Sequence, residues 1–187
     1  MPQVSSGPKN HWGETPLHAA ALHGHANIVK LLLSRSDVDP NSKTNKGDTP
    51  LRYATRSGAE IKMLLAIDNM DLNPVDGDSD TPILAAALSG SEKVLQLLFD
   101  CKGINRNQVN NKGNTLLHMA VKSGDEVTVK IVLELGDPDL NARHPYGVIP
   151  LKLAAKRGHE AIVRLLKAPQ THHSGPTGAE SNTSVEY

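Results

Sequence analysis

Aromatic residues are scarce in this chain of 187 residues: one tryptophan, one phenylalanine and three tyrosines, 3% of the total. A core lacking that bulk has to be assembled from Leu, Ile, Val and Ala, which suits closely spaced helices. Cysteine is scarcer still. Cys101 stands alone, so no intramolecular disulfide can form and a reducing compartment is expected; its setting reads as a small residue just past a helix and not as a reactive thiol. Charge of either sign is missing in excess, with 20 Lys plus Arg against 20 Asp plus Glu, which removes a global pull toward nucleic acid or a membrane surface. No apolar stretch approaches the ~20 residues of a membrane span, and Met1 to Lys9 has no apolar segment of the kind that forms a secretory signal. The expectation is a soluble protein of the cytoplasm or nucleus, a monomer, without nucleic-acid or membrane partners.

What the chain does have is repetition. Thr15-Pro16-Leu17-His18-Ala19-Ala20 returns as Thr49-Pro50-Leu51-Arg52-Tyr53-Ala54, Thr81-Pro82-Ile83-Leu84-Ala85-Ala86, Thr115-Leu116-Leu117-His118-Met119-Ala120 and Ile149-Pro150-Leu151-Lys152-Leu153-Ala154, at spacings of 34, 32, 34 and 34 residues. A threonine N-cap can accept an amide of the first helical turn, and proline fits the position after it, where its missing N–H costs nothing. Nine residues after each start stands a glycine (Gly24, Gly58, Gly90, Gly124, Gly158), the residue that most readily takes the left-handed conformation ending a helix. A second apolar run follows each glycine, as in Ile28-Val29-Lys30-Leu31-Leu32-Leu33 and Val129-Lys130-Ile131-Val132-Leu133, with the three- and four-residue spacing of a helix buried along one side. Each unit is therefore a helical hairpin that cannot bury its apolar sides alone and must stack on its neighbours.

Five copies in phase resemble the ankyrin-repeat family over about residues 10 to 169, close to that family's ~33-residue period. The resemblance implies an all-α solenoid of stacked helix-turn-helix pairs with short β-hairpin fingers between them. The repeats span about 10–43, 44–75, 76–109, 110–143 and 144–169, after a flexible lead-in at 1–9 and before a disordered tail at 170–187, which is poor in aliphatic residues. Several departures matter. Repeat 2 is two residues shorter after its glycine, repeat 4 has Leu116 for proline, and repeat 5 has Ile149 for the capping threonine. Only His18 and His118 occupy the motif's histidine position, so the family's Thr–His hydrogen bond is expected in repeats 1 and 4 alone. The fingers are rich in Asn, Asp, Gly and Pro. In repeat 3, Ser79 stands where the other four fingers have glycine, so that finger is expected to turn differently.

No phosphate loop, nucleophile elbow or nucleotide-binding glycine pattern appears. His18, His23 and His25 crowd one helix end without a cysteine beside them, and structural roles are expected for His18, His25, His118 and His159. His172-His173 could bind metal adventitiously, and Asn182-Thr183-Ser184 matches a glycosylation acceptor by coincidence. Asp76, Asp78 and Asp80 alternate like the start of a calcium loop, but Thr81 and Ala87 stand where that loop needs glycine and glutamate. Neither a cofactor nor a metal is expected, and no enzyme.

The resemblance implies that a partner protein is gripped by the finger tips and the exposed side of the first helices. Those positions are Trp12, Lys46, Asp78, Lys112 and Tyr146 at the tips; Glu14, Asp48, Asp80 and Asn114 two residues on; and Leu22, His23, Arg56, Leu88, Lys122, Lys156 and Arg157 along the helices. Trp12, at a tip where a solenoid has no core to offer, is expected to anchor a partner or to pack at the N-terminal end. Charge is uneven: repeat 3 has three basic against five acidic residues, and repeat 5 has five basic against one acidic, as suits a terminal repeat without a covering neighbour. The expected function is a non-catalytic protein–protein interaction module. The alternative is the targeting or regulatory segment of a larger enzyme or transcription regulator.

Overall fold

A computed structural model describes residues 7–57 and 61–168. The Gly58 helix end, most of the lead-in, the 170–187 tail and the motifs at His172-His173 and Asn182-Thr183-Ser184 lie outside those residues. Among the described residues ten helices follow one another: α1 (Pro16–His23), α2 (Ala26–Leu33), α3 (Pro50–Ser57), α4 (Ile61–Leu65), α5 (Pro82–Ser89), α6 (Glu92–Phe99), α7 (Leu116–Ser123), α8 (Glu126–Gly136), α9 (Pro150–Lys156) and α10 (Glu160–Lys167). The odd-numbered helices stack as one layer and the even-numbered ones as a second, each pair forming one repeat. The two-residue shortening of repeat 2 falls before α4, the shortest helix, and α4 hardly touches α6 among the described residues.

The sequence explains the helix ends. The hydroxyls of Thr49, Thr81 and Thr115 accept the amides of Arg52, Leu84 and His118, and prolines 16, 82 and 150 occupy the first turn. Ile149 has no side chain with which to cap α9. Gly24, Gly90 and Gly124 take the left-handed conformation after the first helices. At Gly124 the requirement is double, because a Cβ there would lie 3.1 Å from the His159 ring, whose Nδ1 sits 3.0 Å from the Val121 carbonyl.

Expected β-hairpins are absent: among the described residues there is no strand. Each finger is instead a five-residue turn, too short for a ladder. In the first, the Asn10 amide donates to Glu14 O and the Gly13 amide to Asn10 O; the same pair of bonds closes the turns at Thr44–Asp48, Asp76–Asp80, Asn110–Asn114 and His144–Val148. The first side chain of each turn accepts a further amide at its tip, as Asn10 Oδ1 does from Trp12 and Glu14, Thr44 Oγ1 from Lys46 and Asp48, Asp76 Oδ1 from Asp78 and Asp80, Asn110 Oδ1 from Lys112 and Asn114, and His144 Nδ1 from Tyr146. The third finger therefore turns like the others, contrary to the expectation from its sequence. Ser79 holds the position at φ 59, where Gly13, Gly47, Gly113 and Gly147 also have positive φ, and its hydroxyl donates to Asn111 Oδ1.

Repeats are joined through the motif's fourth position. His18 Nδ1 lies 2.8 Å from Thr15 Oγ1 and its Nε2 lies 3.1 Å from Asp48 O in the next finger; His118 does the same with Thr115 and Val148 O. A carbonyl can only accept, so Nε2 carries the proton and Nδ1 accepts from threonine. The expected Thr–His pairs thus form in repeats 1 and 4. In repeat 2, Arg52 reaches the equivalent carbonyl, Asp80 O, at 3.0 Å, and in repeat 3 the buried Leu84 reaches none. There Asn110 Nδ2 donates to Asp80 Oδ1 at 2.8 Å, a side-chain bond in place of the missing one.

Leu17, Leu51, Ile83, Leu84, Leu95, Leu98 and Leu117 are among the fully buried side chains, forming one core that runs the length of the stack. Leu95 and Leu98 are buried whereas Leu97 is only half-buried, so truncation of Leu95 to alanine should cost about 2–5 kcal/mol and Leu97→Ala distinctly less, as read by urea denaturation. Burial is the main cause that lowers the pKa of His18 and His118, against the opposing pull of the carbonyls they meet. A base held neutral contributes its full stabilisation above the ordinary histidine value of about 6.5. That stabilisation is lost as pH falls from there toward the depressed folded value, because the unfolded chain then binds more protons. The Tm should accordingly fall between about pH 8 and about pH 5.5. His118→Leu, which copies the natural Leu84, should lower Tm at the alkaline end and flatten that slope.

Candidate functional site

The fingers lie side by side because their backbones bond sideways. The Asn45 amide donates to Trp12 O at 3.0 Å, Gly77 to Lys46 O at 2.9 Å and Asn111 to Asp78 O at 3.0 Å. The fifth finger has Pro145 at that place, with no N–H to give, so the lateral series stops at the fourth. Asn45 Nδ2 adds a bond to His11 O, and Asn111 Nδ2 one to Gly77 O. A rigid frame results, with the tip side chains projecting from it.

Of the five tips, Trp12 is 66% exposed and Tyr146 89% exposed, values that leave both large rings in solvent. Lys46, Asp78 and Lys112 are exposed between them, and Lys112 Nζ lies 3.3 Å from Asp78 Oδ1. Tyr146 packs its edge on His144 at 5.6 Å between centroids. Along the first helices, His23, Arg56, Leu88, Lys156 and Arg157 are exposed, and Leu22 and Lys122 are half-buried. Lys122 Nζ donates to Asn114 Oδ1 at 2.7 Å, and burial, the main cause, lowers its pKa.

Two expected contact residues face inward. Asp80 and Asn114 are 9% and 2% exposed, bonded through Asn110, and they tie repeat 3 to repeat 4 instead of facing a partner. Their positions, two residues beyond a tip, point back into the joint because the turn reverses there. Asp48 is half-buried for the same reason. Its carboxylate lies 3.5 Å from Arg52 Nε, an ion contact without hydrogen-bond geometry, and burial chiefly raises its pKa. Arg52 NH2 also meets Asp76 at 2.5 Å.

The finger face includes a concavity. An open pocket of about 460 Å³ lies between the first two fingers, lined by His11, Trp12, Glu14, Thr44, Asn45, Lys46 and Tyr53. Tyr53, on α3, donates its hydroxyl to Glu14 Oε1 at 2.7 Å, and Asn10 Nδ2 donates to Glu14 Oε2 at 2.7 Å. Those two bonds, Tyr53's first, lower the Glu14 pKa, while burial and the Glu14 bond push the Tyr53 phenol up to about 12. The Tyr53 ring also meets His18 edge-on at 5.3 Å, so it is held from two sides. The sequence reading brought Trp12, Glu14 and Lys46 here but missed Tyr53 and His11. Tyr53 had a signal: it alone is aromatic at a motif position where the other repeats have Ala19, Ala85, Met119 and Leu153.

Among the described residues no three His, Cys, Asp or Glu side chains converge as a metal cluster would require, and no helix is long and apolar enough to cross a membrane. Cys101 donates its thiol to Leu97 O at 3.2 Å and its pKa is raised, mainly by burial.

A family profile described as ankyrin repeats (3 copies) matches residues 3–76, 33–110, 59–144 and 83–176. Among curated proteins, 51 residues (27% of the chain) are 41% identical to alpha-latrotoxin-Lhe1a of Latrodectus hesperus, covering 4% of it. A stretch of 42 residues, 22% of the chain, is 52% identical to the transient receptor potential cation channel subfamily A member 1 homolog of Caenorhabditis elegans, covering 3% of it. Ankyrin repeat domain-containing protein SOWAHB of Homo sapiens is 44% identical over 43 residues, 23% of the chain and 5% of that protein. The matches thus span a small fraction of these relatives' lengths.

Trp12 provides a direct check on the site. It is the single tryptophan, so its emission should be quenched by acrylamide almost as readily as that of the free amino acid. Strong protection in the free protein would show that the tip is covered.

Proposed function

Because the chain belongs to the ankyrin-repeat family, whose arrays are generally protein-interaction modules, we propose that it is a non-catalytic module that binds a partner protein through its finger tips and the exposed face of its first helices. The observation that carries this reading is the pairing of a fixed frame with exposed aromatic tips. Trp12 and Tyr146 stand in solvent on turns closed by their own backbone bonds, so binding would order little beyond the side chains themselves. Large rigid rings of this kind are where interface energy concentrates. Leu88, 44% exposed on α5, adds apolar surface between them.

Charge supplies the register. Lys46, Arg56, Lys156 and Arg157 are exposed along the same face, and such partly solvated groups act mostly on association rate and orientation. The basic Lys156-Arg157 pair at the end of α9 favours an acidic segment of the partner at that end of the array. Asp80 and Asn114 drop out of the contact set, since both are committed to the joint between repeats.

The test is quantitative capture of a partner identified by cross-linking and mass spectrometry. Trp12→Ala or Tyr146→Ala should each weaken binding by about 2 kcal/mol where the partner buries the ring. Lys156→Glu with Arg157→Glu should slow association at low salt and matter less as salt rises, with the melting curve unchanged. A partner whose affinity ignores all four changes binds some other face and overturns this reading.

A further inference from the structure

The pocket between the first two fingers narrows the protein-binding reading, on which this inference rests: we propose that it receives a bulky apolar side chain of the partner flanked by a side-chain carboxylate. Its walls fit the apolar part. The exposed Trp12 indole forms one side and the Tyr53 ring another, and about 460 Å³ is within the range of ordinary ligand pockets. The backbone beneath the walls and the Tyr53 ring are held in advance. Trp12 is held at its backbone by Asn45, His11 by the Asn45 amide group, and Tyr53 by Glu14 and by the edge of His18.

The charge around the pocket decides the flanking group. Every carboxylate near it is already engaged: Glu14 accepts from Tyr53 and Asn10, while Asp48 and Asp76 face Arg52. The cations are more open, with Arg56 acting on Asp48 only through space. Lys46 lines the pocket and Arg56 follows Tyr53 by three residues on α3; both are exposed, and neither has a carboxylate within ion-pair distance among the described residues. The contrast with Lys112 is informative, because that equivalent tip lysine pairs with Asp78 and so leaves Lys46 without the same partner. A site with engaged anions and two exposed cations that no described carboxylate pairs at ion-pair distance attracts a carboxylate and repels a basic segment, whatever the neutral whole-chain charge.

The experiment is selection of random peptides displayed on phage against the full chain, followed by titration of synthetic winners. The expected winners share an aliphatic or aromatic residue beside Asp or Glu and change the emission of Trp12 on binding. By anisotropy of the labelled peptide, Trp12→Ala should weaken binding about thirtyfold and Trp12→Phe should restore most of it. Lys46→Glu should weaken it about tenfold at low salt and less at high salt, and Tyr146→Ala should leave it unchanged. Melting curves check that each variant is folded. Winners without an acidic residue, winners indifferent to Trp12, or no winners at all overturn the pocket. Winners that respond to Tyr146→Ala or Leu88→Glu in place of Trp12 remove the pocket but leave the wider reading standing; that reading falls only if the identified partner ignores the face altogether.

Discussion

The stack depends on one contact repeated at three of its four joints, the donor that α1, α3 and α7 send into the carbonyl near the end of the next finger. His18 and His118 make it with Nε2 and Arg52 with its guanidinium, so two chemically different side chains satisfy the same backbone acceptor. Each of these carbonyls already accepts the amide that closes its own turn, so the helix donor adds a second bond, from another repeat, to a partly buried oxygen, a net contribution of about 1 kcal/mol. Leu84 cannot make the contact, and the joint between repeats 3 and 4 is built otherwise. Asp80 with Asn110, Ser79 with Asn111 and Arg106 with the Leu135 carbonyl cross that boundary, and Arg106 also lies over the Phe99 ring.

A regular joint permits variable tips. Each finger uses the same five-residue turn, and its first side chain, whether Asn, Thr, Asp or His, accepts an amide of the tip. Ser79 shows how strong the frame is, since it holds a non-glycine residue at positive φ and recovers a hydrogen bond from its hydroxyl. Because the turns consume their own backbone groups, the residue at each tip is free to be tryptophan, lysine, aspartate or tyrosine without disturbing the fold. The tip side chains can then change while the stack stays constant.

Electrostatics are likewise local. The Arg52 guanidinium with Asp48 and Asp76 forms a largely buried cluster, the kind of site where removing one member leaves an uncompensated charge. With those carboxylates facing Arg52, no described carboxylate lies within ion-pair distance of Lys46 or Arg56 on the finger face. At the other end of the array, Arg164 and Lys167 on α10 join Lys156 and Arg157 in solvent.

Much of this was legible in the residues. Period, threonine caps, proline starts and terminal glycines determine five helical hairpins, because each acts within one turn of chain, and the Thr–His pairs follow from a three-residue spacing inside a single helix start. The tips were legible as well, since phase alone puts Trp12 and Tyr146 at the same place in their repeats. What acts between repeats was not. That Arg52 would take over a histidine's acceptor, that Asp80 and Asn114 would turn inward, and that Tyr53 would meet Glu14 from 39 residues away depend on how neighbouring units sit against each other. The fingers show the same limit: their composition signals a turn, but whether the amides pair along a hairpin or sideways to the next finger is a choice only the stacked structure makes, because the sideways acceptors come from another repeat.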